Sequence, residues 1–287
     1  MPSLRQRQEI AHDTIARSPS LVQSHTSEGA TLDSFFLTID DLPALDPSLC
    51  PGHPRSKVAV LNADSFTAAR DLIQAAPDGS ARGKTAVLNL ASDEERAGGW
   101  EYTLCKTQVS SVILQPEEAL CYSSTLYATL KPSYYPWPNL GPGSVAGVFS
   151  PGVLIFRHDL DHECVELPIA ERRVVSVLTV AAPRDPKLTK DGGAFANKQD
   201  LEDLRGKIRL VYRMAARHGQ EYLVLGAMGC GVYFCPPRLV AEEMKAVLLE
   251  DEFKGWFRQV VFAVYSKLGN GAGNFAIFDK AFSGVEV

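Results

Sequence analysis

The chain has 287 residues, 45% of them apolar and 22% charged, with a formal net charge of −5. That composition excludes wholesale disorder, and the length fits one large domain or two small ones and is ample for a sizeable core. No apolar run reaches the roughly 18–20 residues of a membrane helix, and a mildly acidic chain lacks the electrostatics to grip double-stranded nucleic acid.

The opening residues, Met1–Asp13, have no continuous apolar stretch, so no secretory signal is expected. Six cysteines (Cys50, Cys105, Cys121, Cys164, Cys230, Cys235) stand singly, without CxxC pairs. They read as reduced thiols and point to an intracellular protein, cytoplasmic or nuclear. Helical periodicity (Leu4, Gln8, Ala11, Ile15) runs to about Val22. Ser24–Arg55 is polar and Pro-rich, with one apolar patch at Phe35–Ile39. Residues 1–56 therefore read as a helical and irregular extension, and residues 57–287 as the main domain.

Within that domain, Val58–Leu61, Thr85–Ala91, Val153–Arg157, Arg173–Ala181, Tyr222–Ala227 and Gln259–Tyr265 are short apolar runs of the buried-strand kind. Helical spacing appears at Asp64–Ala76, Pro116–Leu130, Lys198–His218 and Arg238–Glu250. Strands alternating with helices predict a mostly parallel sheet covered on both faces. Ligands of such sheets bind outside the carboxyl ends of the strands. Two segments stand at such points, Asn89–Glu118 and Gly226–Pro237.

In the second segment, Gly226, Gly229 and Gly231 lie between a strand and a helix. Glycines there let backbone N–H groups approach an anion, although a plain tight turn has the same composition. The spacing is neither GxGxxG nor a P-loop, which disfavours an ordinary dinucleotide fold or an ATPase. Tyr233 and Phe234 follow and could stack on a sugar or base, or belong to the core. In the first segment, Asn89, Ser92, Gly98 and Gly99 form a loop suited to a hydroxylated ligand. Glu117 and Glu118 open a helix behind Pro116, where carboxylates also complement the helix dipole. Adjacent helical residues do not share a face, so the two carboxylates should have different tasks. His158 and His162 in HDLDHE lack the Glu placement of a zincin and read as a solvated loop, so no metal or cofactor is expected. Cys230, between two glycines, has no His or Asp at a telling spacing and reads as a small residue in a tight loop.

The series VLNLAS, AGGW, PEEALCYSSTLY, FSPGVLIFR, VVSVLTVAAP, YLVLGAMGCGVYFCPPRLVA and VVFAVY, in that order from Val58 to Tyr265, resembles the microbial-type poly(ADP-ribose) glycohydrolases, a macrodomain family. The resemblance implies a three-layer α/β/α macrodomain with a mixed, mostly parallel sheet that binds ADP-ribose across the strand ends. The family's triple-glycine loop corresponds to Ala97, Gly98 and Gly99, behind Arg96, and its Gln-Glu-Glu signature to Pro116, Glu117 and Glu118. Glu118 then falls on the catalytic acid/base and Glu117 on the ribose-positioning carboxylate. Ser92 stands where relatives often carry Asn, and the spacer Glu101–Gln115 is longer than the family's. Gly229, Cys230, Gly231 and Val232 correspond to the diphosphate loop, and Tyr233 to an aromatic beside the ribose.

The implied activity is hydrolysis of the ribose–ribose O-glycosidic bond in poly(ADP-ribose), the partner being ADP-ribose chains on modified proteins and the state a monomer. Two alternatives stay open, a degenerate reader that binds ADP-ribose without cleaving it and a mono-ADP-ribosyl hydrolase. A helix start lowers the pKa of Glu118, whereas a desolvated site beside an anionic diphosphate raises it; the second effect is expected to prevail once ligand is bound.

Overall fold

Neighbouring side chains of a strand face opposite ways, so a strand apolar throughout needs cover on both sides. The computed structural model describes residues 2–103, 116–266 and 273–287. Among these, seven strands form one sheet: β1 (Phe35–Thr38), β2 (Ala59–Leu61), β3 (Thr85–Leu90), β4 (Ala146–Ile155), β5 (Arg173–Val180), β6 (Tyr222–Leu225) and β7 (Gln259–Ala263). Their order is β1-β4-β5-β3-β6-β7-β2. The run from β5 through β3, β6 and β7 to β2 is parallel, while β4 lies antiparallel to both β5 and β1.

Eight helices accompany these strands among the described residues: α1 (Leu4–Ser24), α2 (Ser65–Ala75), α3 (Trp100–Thr103), α4 (Pro116–Ser123), α5 (Leu126–Thr129), α6 (Lys198–Arg217), α7 (Pro237–Leu248) and α8 (Gly273–Phe282). Leu88, Leu178, Leu223 and Phe262 point to one side of the sheet and pack on Leu204, Ile208 and Val211 of α6, Met244 of α7 and Phe278 of α8. Their strand neighbours Val87, Val177, Val224 and Val261 point to the other side, against Phe66 and Leu72 of α2, Leu120 of α4, Leu126 of α5 and Ala11 of α1. The alternation divides the apolar side chains into two cores, and the result is the expected three-layer α/β/α arrangement.

The structure departs from the sequence expectations in four places. The strand expected at Val153–Arg157 is longer and earlier, Ala146–Ile155, because its first residues pair with β1 and the end of β5. Pro116–Leu130, expected as one helix, is two, because Ser124 and Thr125 turn away to the end of β4. There the Thr125 N–H donates to the Leu154 carbonyl at 3.0 Å, and Thr125 Oγ1 accepts from the Leu154 N–H at 3.0 Å. The apolar patch Phe35–Ile39, expected within an irregular segment, contributes the edge strand β1. Helix α8 was not anticipated; it packs on α7 and covers β2.

Helix α1 is fastened over α4 by Arg157, a guanidinium only 6% exposed just past β4. Arg157 donates to Asp13 and Thr14 of α1 and, at 3.2 Å, to the Tyr122 carbonyl of α4. Arg17 adds a two-pronged bond to Glu166, 2.9 Å on each arm. The N-terminal helix thus backs the helix that carries Glu117 and Glu118.

Gly147 of β4 shows how closely the antiparallel part of the sheet is packed. A Cβ there would lie 2.5 Å from the Thr179 carbonyl oxygen and 2.8 Å from Val180 Cγ2. Gly147→Ala should therefore destabilise the protein by about 1–3 kcal/mol through overpacking. Denaturant unfolding of the two proteins checks this, and an unchanged midpoint would contradict the packing described.

Candidate active site

Strand β3 ends in Asn89 and Leu90, and the chain then turns through Ser92. Both oxygens of Glu117, fully buried on α4, are bonded to this corner. Asn89 Nδ2 donates to Glu117 Oε1 at 2.9 Å, and the Ser92 N–H donates to Glu117 Oε2 at 2.8 Å. Asn89 is itself buried and reaches Thr179 Oγ1 on β5 at 3.3 Å. Burial pushes the Glu117 carboxyl up to about 8, against the two donated hydrogen bonds and with a contribution from the charge of Glu118. Glu118, the next residue, is 9% exposed.

The loop after β3 is locked from within. Ser92 Oγ accepts the N–H groups of Glu94 and Glu95 at 3.1 Å each. Ala97, Gly98 and Gly99 all take left-handed backbone conformations, with φ of 52°, 62° and 76°. Ala97, which stands where the resembled family has its first glycine, is buried in this conformation. Arg96 lies 3.7 Å over the Tyr127 ring and donates to the Tyr127 carbonyl at 2.6 Å. Trp100 meets Tyr122 and Tyr127 edge-on, at 5.2 Å in each case. Loop, α4 and α5 are thereby packed as one block. Most of the Glu101–Gln115 spacer, with Cys105, lies outside the described residues.

In the turn after β6 the three glycines differ in their surroundings. Gly226 is buried, and a Cβ there would lie 3.2 Å from Leu90 Cδ1. Gly229 has φ +72°, and its Cβ would lie 2.6 Å from Ala182 Cβ and 2.7 Å from Cys235 Sγ. At Gly231 a Cβ would meet nothing within 4 Å. Gly226 and Gly229 therefore allow close packing, while Gly231 and the exposed Val232 face open space. Among the described residues the backbone N–H groups of Gly231, Val232 and Tyr233 donate to no protein acceptor. Burial pushes the Cys230 thiol well above its ordinary value, and its Sγ approaches the Met228 carbonyl at 3.6 Å. A thiol kept neutral in this way is a poor nucleophile.

The two segments meet. A cleft of about 190 Å³ is lined by Ser92, Glu94, Glu95, Gly98, Arg184 and Tyr233. Of the sequence-derived residues, Ser92, Gly98 and Tyr233 border it directly. Asn89 and Glu117 are bonded to its Ser92 corner, while Gly226 and Gly229 pack behind the second loop. A larger cavity of about 270 Å³, lined by Arg55, Tyr222 and Arg258 among others, sits at the amino-terminal end of β6 and β7 and has no carboxylate among the described residues of its wall. The HDLDHE stretch is bonded into the fold, with Asp159 accepting from Thr67 Oγ1 at 2.8 Å and paired with His162 at 2.7 Å.

Three residues of the site went unnoticed in the sequence. Asp93, 1% exposed, accepts from Tyr233 Oη at 3.1 Å, from Asn139 Nδ2 at 2.8 Å and from Arg184 at 2.7 Å. Asn139 Oδ1 in turn accepts the Arg184 N–H at 2.7 Å. Arg184 follows β5, and the strand-end rule that singled out the other loops applies equally to it. Asp93 and Asn139 have no such signal, because only long-range folding makes them partners.

The glycine surroundings generate a paired prediction. Gly229→Ala should lower stability by about 1–3 kcal/mol, since the added methyl meets packed side chains and the backbone is left-handed. Gly231→Val should leave stability within about 0.5 kcal/mol of the parent. Thermal melts of both variants decide it, and equal losses would refute the assignment of open space at Gly231.

Comparison with known proteins follows the same lines. The family model for the microbial-type PARG catalytic domain matches residues 48–158. The crystal structure of poly(ADP-ribose) glycohydrolase (PARG) from Thermomonospora curvata is 28% identical, with a TM-score of 0.74, over 96% of this chain and 99% of that one. The same enzyme bound to the inhibitor ADP-HPD is 29% identical, with a TM-score of 0.73 over the same shares. The Deinococcus radiodurans enzyme in complex with ADP-ribose is 30% identical, with a TM-score of 0.61, over 78% of this chain and 83% of that one. No curated protein matches the chain. With its doubly covered sheet, its paired glutamates on α4 over the end of β3 and these likenesses, the chain belongs to the microbial-type poly(ADP-ribose) glycohydrolase family.

Proposed function

We propose that the chain is a glycosidase that hydrolyses the ribose–ribose O-glycosidic bond of poly(ADP-ribose), with Glu118 as general acid and base. The observation that carries this reading is the buried Glu117 carboxyl, tied to Asn89 and Ser92 at the edge of the cleft that Tyr233 also lines. A pure binding module has no evident need for two carboxyls on one helix start.

In this reading Glu118 gives its proton to the departing ribose oxygen as the bond from C1″ to that oxygen breaks. The bonding electron pair leaves with the oxygen, and the ring oxygen shares the positive charge left on C1″. Water then adds to C1″ and returns a proton to Glu118. This differs from glycosidases that place carboxyls on opposite sides of the bond. Glu117, fixed by its two donors, orients ribose hydroxyls. Asn89, Ser92, Gly98 and Gly99 shape the ribose pocket. Gly226, Gly229, Cys230, Gly231 and Val232 shape the diphosphate loop, and Tyr233 lies beside the ribose. Residues 57–287 form the catalytic macrodomain in this proposal, acting as a monomer on ADP-ribose chains of modified proteins in the cytoplasm or nucleus. Among the described residues, no helix is long and apolar enough to cross a membrane.

The doublet's protonation follows from burial. Two adjacent carboxyls cannot both ionise cheaply, and the Glu117 carboxyl is raised to about 8. Glu117 therefore stays protonated through neutral pH and ionises as pH rises through about 8.

Incubation with labelled poly(ADP-ribose) should release ADP-ribose. Glu118→Gln should cut kcat by about 100-fold or more while calorimetry with ADP-ribose shows retained binding. Equal release by the two proteins would overturn the assignment. On the alkaline side, ionisation of Glu117 puts a charge beside Glu118, and kcat/KM should fall by about tenfold per pH unit once pH passes the Glu117 value near 8. A profile flat to about pH 10 would mean that the neutral form of Glu117 is not required.

A further inference from the structure

Charge is the starting point. The described lining of the cleft holds two carboxylates, Glu94 and Glu95, against one guanidinium, Arg184. Carboxylates therefore outnumber cations in that lining before any ligand arrives. A diphosphate brings two further negative charges, and backbone N–H groups alone do not neutralise them.

Arg184 holds two carboxylates at once, and the two differ. One arm donates to Asp93 Oδ2 at 2.7 Å; that carboxylate is 1% exposed and is also held by Asn139 and Tyr233. The other arm is paired with Glu94, whose side chain is 58% exposed and bonded, among the described residues, to Arg184 alone. The Arg184 N–H is anchored to Asn139, and the Asp185 N–H donates to the Tyr233 carbonyl at 3.0 Å, so backbone bonds hold this turn against the glycine loop. The guanidinium also lies 6.0 Å from the Tyr233 ring centre. An exposed ion pair is weak and easily exchanged, whereas a pair with a buried, multiply bonded carboxylate persists.

We propose that Arg184 is the cation that meets the diphosphate of the ligand, and that Glu94 is its displaceable partner in the empty site. This rests on the reading of the cleft as an ADP-ribose site. On binding, one arm of the guanidinium passes from Glu94 to a phosphate oxygen while the other stays on Asp93. Asp93 is thereby a positioning residue that aims Arg184 and Tyr233 at the same ligand. The exchange also sets selectivity, because a ligand without the diphosphate leaves the Arg184–Glu94 pair intact.

Calorimetry with ADP-ribose on the full chain tests this, with thermal melts confirming that each variant is folded. Arg184→Gln should weaken binding at least tenfold, and Arg184→Lys, which keeps the charge, should recover part of the loss. Glu94→Gln should tighten binding severalfold, and that gain should vanish in the Arg184→Gln background. Wild-type affinity in Arg184→Gln, weaker binding in Glu94→Gln, or a gain that survives without Arg184 would each overturn the proposal while leaving the glycohydrolase reading standing. If the wild-type protein neither binds ADP-ribose nor releases it from polymer, the reading itself falls and this inference with it.

Discussion

A carboxyl group without solvent is tolerable only if its oxygens are satisfied, and among the described residues Glu117 is satisfied by one strand end alone. Its two donors, Asn89 Nδ2 and the Ser92 N–H, belong to the last residues of β3 and the turn beyond. The start of α4 must therefore sit over the carboxyl end of β3, and much of the surrounding packing serves that placement. Leu120 and Cys121 seat α4 on the sheet, and Trp100 wedges between Tyr122 and Tyr127. Arg157 clamps α1 across the back of the helix.

Asp93 serves a corresponding purpose on the other side of the cleft. It is a buried carboxylate whose donors come from the segment after α5, the turn after β5 and the turn after β6. Each of those loops would otherwise be placed only by its own strand. A shared buried anion couples them, since moving one loop would strand a charge away from water. Lys207 of α6, wholly buried, supports the arrangement from beneath by donating to the Asn139 carbonyl at 2.5 Å. Burial pushes its ammonium down to about 8, so this support too depends on the charge of Asp93 and Asp203.

Parallel strands explain why chemistry gathers at one end. In the register of β5, β3 and β6, Leu90 ends level with Val180, and β6 stops at Leu225, beside Leu88, so that the glycine turn begins at the level of Asn89. Asn89, Arg184 and the glycine turn are then neighbours although they lie far apart in the chain. The antiparallel pair β4 and β1 closes that edge of the sheet.

Much of this could be read directly from residue order. Unbroken apolar runs imply strands covered on both faces, and the spacing of Leu204, Ile208 and Val211 implies the buried stripe of α6, because both follow from local periodicity. The paired glutamates behind a proline and the glycines after a strand were visible for the same reason. The break at Thr125 was not, since it depends on bonds to Leu154 in a strand formed later in the chain. Nor was the edge strand β1, whose short apolar patch becomes a strand only when β4 offers it a partner. Sequence could not separate Gly229 from Gly231, because one faces Ala182 and Cys235 while the other faces open space. Residue types and their spacing along the chain thus determined the layers and the acidic doublet. Tertiary structure alone decided which buried charges share a partner, because a hydrogen bond between distant residues has no local signature.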